Sequence, residues 1–99
     1  MGCMLLCDVA LGDMNRKYAA DYYADQLPEG KHSTMGCGKN VPNPSGHVVT
    51  EEGVVVPTGK QAPANLETNS SLLYNEYIVY DTAQVRMKYL FKLKFNHKF

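Results

Sequence analysis

A single acid, Glu76, interrupts Leu72–Tyr80 (LLYNEYIVY), a run dense in strand formers. A carboxylate mounted on a strand can serve as a base or stabilise a developing positive charge. On the residues alone it is more simply read as a solvent-facing strand position. The other reactive residue types form weaker patterns. Gly36-Cys37-Gly38-Lys39 contains Gly-x-Gly-Lys, but a phosphate-binding loop needs a longer glycine spacing and a Ser or Thr after the lysine, where Asn40 stands. Cys3, Cys7 and Cys37 make an odd number, and His32, His47 and His97 are isolated from them and from one another. No metal-ligand spacing results, so no metal site is expected. Cys3 and Cys7 fall in an apolar run and are expected to pack inside. Cys37 falls in loop-like sequence and is expected to be accessible, with nothing local to activate its thiol.

These residues need elements to carry them. Met4–Leu11 (MLLCDVAL), stopped by Gly12, reads as a strand buried on both faces, with Asp8 in need of a polar partner. Such a strand wants neighbours on either side, and few candidates remain in the chain. Structure upstream, or supplied by another chain, is the expected remedy. Asp13 is a candidate cap for a short helix running to about Asp25, favoured by Ala19, Ala20 and Ala24. Lys31–Gly46 is rich in Gly, Pro, Asn and Ser and reads as loop. His47–Thr50 and Val54–Val56 flank Glu51-Glu52-Gly53 as a hairpin. Thr58–Ser71 is a second polar loop, and Leu72–Tyr80 a strand. The last element is the clearest. Val85, Met87, Tyr89, Phe91, Leu93 and Phe95 alternate with Arg86, Lys88, Leu90, Lys92, Lys94 and Asn96, the period of a strand with one apolar face. Four or five strands, at most one short helix and two long loops are expected.

Composition narrows the class. The chain has 99 residues, 44% hydrophobic and 20% charged, with zero formal net charge. It holds one domain or part of one, and no overall field selects nucleic acid or membrane. Bases gather at the end, where Arg86, Lys88, Lys92, Lys94 and Lys98 follow Thr82 without an acid. A solvated strand face explains them more simply than phosphate binding. Tyr74, Tyr77, Tyr80 and Tyr89 could stack on bases, but tyrosines in strands more often pack across strands. Asn69-Ser70-Ser71 fits a glycosylation acceptor pattern, of little weight where Met1–Leu11 lacks the basic leading segment of a signal peptide. No apolar run reaches the roughly 18 residues of a membrane helix. The sparse cysteines suit reduced thiols and a reducing compartment.

Three long segments, in order, resemble one family. LLYNEYIVYD (Leu72–Asp81) with RMKYLFKLKF (Arg86–Phe95) is similar to the C-terminal end of the poly(ADP-ribose) polymerase (PARP) catalytic domain. MLLCDVALGDM (Met4–Met14) resembles that family's central strand, and LPEGKHSTMGCGKNVPNPS (Leu27–Ser45) its glycine-rich connection. The resemblance covers nearly the whole chain and is closest to the polymer-forming, DNA-damage-responsive members. It implies an α+β, mainly antiparallel β fold. Residues 1–99 would be the C-terminal portion of an ADP-ribosyltransferase catalytic domain, with its N-terminal half absent.

The same resemblance implies a function. The family transfers ADP-ribose from NAD to proteins or to growing ADP-ribose chains through a histidine, tyrosine and glutamate triad. Glu76 matches the glutamate. The histidine and tyrosine would precede Met1, and His32 does not match the former. No residue of this chain is therefore assigned to clamp NAD. Leu72 and Tyr74 match residues that shape the acceptor site, and the divergent Thr58–Ser71 would form the rest of that loop. Asp8 stands where relatives more often have glutamate, and relatives often continue a few residues past Phe99. The implied partners are NAD and protein or poly(ADP-ribose) acceptors. DNA would be bound only through domains outside this chain, and no membrane is involved. The nucleus is the implied location. The chain alone is expected to lack transferase activity. One alternative is a natural non-catalytic half-domain that associates with full-length polymerase. Another is a small nucleic-acid-binding β module built on the basic last strand.

Overall fold

The structure, a computed structural model, describes residues 1–96. What was expected of His97, Lys98 and Phe99 lies outside them. The strands are β1 (Gly2–Val9), β2 (Met14–Lys17), β3 (Ser33–Gly36), β4 (Asn40–Pro42), β5 (His47–Val49), β6 (Val55–Pro57), β7 (Gln61–Pro63), β8 (Glu76–Val79) and β9 (Val85–Leu93). They form a β1–β9 pair, a β2–β3–β8 sheet, a β4–β7 pair and a β5–β6 hairpin. Among the described strands only β2 and β3 run parallel, besides an isolated parallel bridge between Asn40 and Tyr74. The class is thus mainly antiparallel β, and among the described residues the only helical segments are 3₁₀ turns at Pro44–Gly46 and Thr82–Gln84. None of these segments is long and apolar enough to cross a membrane as a helix.

The expected helix over Asp13–Asp25 does not form. Met14–Lys17 spends its backbone on pairing with Ser33–Gly36. Beyond it, the Asp21 carboxylate accepts from the Tyr23 N–H at 2.9 Å, and turns close from Asp21 to Ala24 and from Tyr23 to Gln26. An aspartate that bonds its own neighbourhood competes with helix propagation. The two expected loops also yield strands. β3 and β4 lie within Lys31–Gly46, and β7 lies within Thr58–Ser71. Pro42 and Pro63 end the β4–β7 ladder, a place that tolerates a residue with no N–H. The hairpin forms where expected, and the last strand forms over Val85–Leu93, ending short of the expected Lys94, Phe95 and Asn96. Gly53, at φ 85°, turns the hairpin, in the left-handed region glycine enters without strain. The strand expected from Leu72 is shorter, beginning only at Glu76.

Burial is the largest departure. Met4, Leu5 and Leu6 are 58%, 52% and 49% exposed, and because successive side chains of a strand alternate, both faces of β1 are open. Met87, Tyr89 and Phe91 of β9 are exposed as well. The sequence marks these residues for burial, but the described residues supply no second layer to cover them. A compact chain of this mass would expose roughly 5,600 Å², whereas this one exposes 8196 Å². Its radius of gyration is 15.2 Å, against about 13 Å for a compact domain of this length.

Asp8 finds the polar partner it needs. Arg86 Nη2 donates to Asp8 Oδ2 at 2.8 Å and to Glu52 Oε2 in the hairpin turn at 3.2 Å, and Lys88 Nζ lies 3.7 Å from Asp8 Oδ2. Bonding to the Arg86 guanidinium holds the Asp8 carboxyl below its ordinary value of 3.8. A lowered acid stabilises the fold above its unfolded value and loses that contribution as pH falls through the folded one. Once the intrinsic pH dependence of exchange is divided out, the protection of β1 and β9 amides should therefore be constant near neutral pH and fall as pH drops below about 4. Asp8→Asn should remove that acid dependence.

Candidate functional site

The few buried residues gather at one place. Among the described residues Ser33, Thr34, Gly36, Cys37, Gly38 and Ser70 are buried, and all but Ser70 belong to β3 and its continuation. Cys37, at 1% exposure, is the innermost apolar side chain, not the accessible loop thiol expected. Cys3 is exposed and Cys7 half-buried, the reverse of their expected packing, because no described residue covers β1. Ser33, Thr34 and Ser70 are each hydrogen-bonded, as buried polar groups must be.

Segment 70–76 lies along this buried strand. Glu76 stands opposite Gly36 in the antiparallel β3–β8 ladder, followed by Tyr77 opposite Met35 and Ile78 opposite Thr34. Before it, residues 70–75 are held mostly from outside a sheet. Lys39 N donates to Leu72 O at 3.0 Å, Asn40 N to Leu73 O at 2.9 Å, and Ser71 N to Tyr18 O at 2.9 Å. Gly38 N donates to the Asn75 side-chain oxygen at 2.8 Å. Approach this close requires missing side chains. A Cβ on Gly36 would lie 2.7 Å from Leu72 Cδ1 and 3.4 Å from Glu76 Cβ, and one on Gly38 would overlap the Tyr74 and Asn75 backbone.

The three candidate residues therefore share one support. Leu72 is half-buried against Gly36, Tyr74 crosses Gly38 and Glu76 opens β8. Tyr74, 58% exposed, lines a cleft of about 310 Å³ with Asn75, Tyr77, Asn40 and Gln61. Glu76 is exposed, and no described residue bonds its carboxylate. His32 sits elsewhere, at the far end of the β3–β8 ladder, where its Nδ1 accepts from the Asp13 N–H at 3.0 Å. Among the described residues no three His, Cys, Asp or Glu side chains gather where they could hold a metal ion. Sequence reading missed Gly36, Gly38, Ser70 and Asn75. The glycine pair carried a signal, since glycines two apart leave one strand face bare for another backbone.

Comparison with known proteins agrees along the whole length. The family profile of the poly(ADP-ribose) polymerase catalytic domain matches residues 1–95. Poly(ADP-ribose) polymerase 2 of Arabidopsis thaliana is 54% identical over 97 residues, covering 98% of this chain and 15% of that protein. Poly(ADP-ribose) polymerase 1 of Xenopus laevis is 54% identical over 98 residues, covering 99% of this chain and 10% of that protein. The rice protein named poly(ADP-ribose) polymerase 1 is 53% identical over 98 residues, with the same coverage. The chain thus spans a small fraction of these relatives' length.

The packing at the two glycines predicts unequal costs. Gly38→Ala forces backbone apart and should lower the unfolding free energy by roughly 1–3 kcal/mol. Gly36→Ala meets the end of the Leu72 side chain, which can rotate away, and should cost less. Urea midpoints of the two variants check the order.

Proposed function

The chain belongs to the poly(ADP-ribose) polymerase catalytic-domain family, and on that premise we propose that it carries the catalytic glutamate of an NAD-dependent ADP-ribosyltransferase. The observation that carries this reading is Glu76, exposed and bonded by no described residue, on a strand braced by the bare Gly36–Gly38 backbone. In the transfer, the bond between nicotinamide and ribose breaks and nicotinamide leaves with the bonding electrons. The acceptor hydroxyl attacks the ribose carbon and gives up its proton. Positive charge develops on the sugar, as in glycoside cleavage. Glu76 accepts a hydrogen bond from a ribose hydroxyl of NAD and stabilises that charge. During chain growth it polarises the attacking hydroxyl. Leu72 and Tyr74 shape the acceptor side, and the cleft beside Tyr74 supports that assignment. The acceptors are proteins or poly(ADP-ribose).

Residues 1–99 form the C-terminal portion of the catalytic domain, and its N-terminal half completes it. The uncovered faces of β1 and β9 support this division. The histidine and tyrosine that hold NAD lie in that other half. Positioning accounts for roughly 7–11 kcal/mol of a barrier in favourable cases, so the 99-residue chain alone is inactive. The working enzyme is nuclear and meets DNA through other domains. A second reading, a short product that pairs with full-length polymerase, draws on the open edge of β1, which among the described residues pairs only with β9.

Two measurements test the proposal. An antibody to this chain should detect an endogenous protein far heavier than 11.0 kDa. In that protein Glu76→Gln should lower chain elongation by about 10²–10³-fold. The purified 99-residue chain should release no nicotinamide from NAD. A single band near 11.0 kDa would sink the enzymatic reading in favour of the second.

A further inference from the structure

Segment 70–75 has one buried side chain, Ser70, at 6% exposure. Its hydroxyl works in both directions. Ser70 Oγ donates to the Cys37 carbonyl at 2.6 Å and accepts from the Leu72 N–H at 3.0 Å. Both partners are backbone groups. One belongs to the buried strand continuation between Gly36 and Gly38, the other to the segment that leads into Glu76. Leu72 O then accepts from Lys39 N, so the hydroxyl closes a loop of bonds through 37, 70, 72 and 39. Backbone pairing over this stretch is limited to the Lys39–Leu72 and Asn40–Leu73 bonds and an isolated parallel bridge between Asn40 and Tyr74, because β8 begins only at Glu76, and none of it holds the Leu72 N–H.

We infer that Ser70 is a positioning residue for Glu76, its hydroxyl fixing the height of the 70–76 segment over Gly36–Gly38 and so the place of the Glu76 carboxylate. This rests on the reading of Glu76 as the transfer glutamate. Ser70 touches no reacting atom and acts through Leu72 and the backbone that follows. The chemistry sets a clear order among substitutions. A role in packing volume would make Ser70→Ala, the smaller change, milder than Ser70→Thr. A role for the hydroxyl reverses that order, since threonine keeps both bonds and alanine leaves a buried carbonyl and a part-buried N–H unpaired. Cysteine keeps the size of serine and bonds weakly.

The experiment has two arms. In the full polymerase that contains this segment, amide exchange is followed at Leu72 and Lys39, with β1 and β9 as internal reference. Ser70→Ala and Ser70→Cys should speed exchange at Leu72 by about ten-fold or more. Ser70→Thr and the reference strands should stay as they are. In the active polymerase that contains this segment, Ser70→Ala should lower kcat by about ten-fold or more while KM for NAD stays within about two-fold. Ser70→Thr should restore kcat. Equal exchange at Leu72 in all variants, or alanine more active than threonine, would overturn the inference. If Ser70→Ala fails to fold, Ser70→Cys and Ser70→Thr decide by the same order, and equal kcat in those two overturns it. Glu76→Gln in the same enzyme separates the two claims. Full activity there defeats the reading of Glu76, whereas the exchange arm stands or falls on Ser70 alone.

Discussion

Two stretches of backbone meet at Gly38 with no room between them for a side chain. Residues 70–75 have no sheet of their own and take most of their hydrogen bonds from residues 37–40. Glu76 therefore inherits its position from β3. On the role proposed for Glu76 this matters, since a site is only as well placed as the shell that holds it. It also explains why the buried centre is polar. Each hydroxyl there joins two pieces of chain, and among the described residues no buried side-chain polar atom lacks a partner.

Apolar surface is distributed the other way about. Methionines, leucines and tyrosines of β1 and β9 face outward. The surface beyond that of a compact chain, roughly 2,600 Å², is of the order that one partner contributes to a large permanent interface. Stability drawn from hydrogen bonds at a small centre is modest, at about 0.5–1.5 kcal/mol for each bond. Hydrophobic burial, which does most to stabilise an ordinary domain, is largely unrealised here.

Some of this was legible in the residues and some could not be. The β9 alternation and the hairpin around Gly53 are local patterns, and both formed. The apolar run of β1 marked a strand correctly, but residue type records a demand for burial and not whether the cover is present. β3, β4 and β7 were missed because glycine, serine and proline carry no strand signature, and pairing with distant segments made them strands. At the site, Glu76, Leu72 and Tyr74 could be picked out from a long motif. The need for glycine at position 38 could not, because the residue whose carboxamide it bonds lies 37 positions away.

The pairing of β1 with β9 joins nearly the first residue to nearly the last. Its Asp8–Arg86 bond spans 78 positions. Closing a flexible loop of that length costs about 4 kcal/mol in chain entropy before any contact is gained. On the ribosome, β1 emerges before β9 and can pair with it only after every residue between them has been made. Until then an apolar strand with both edges open waits in the nascent chain, a state that other sticky segments can exploit. The topology thus leaves β1 unpaired during synthesis for as long as the residues up to β9 take to appear.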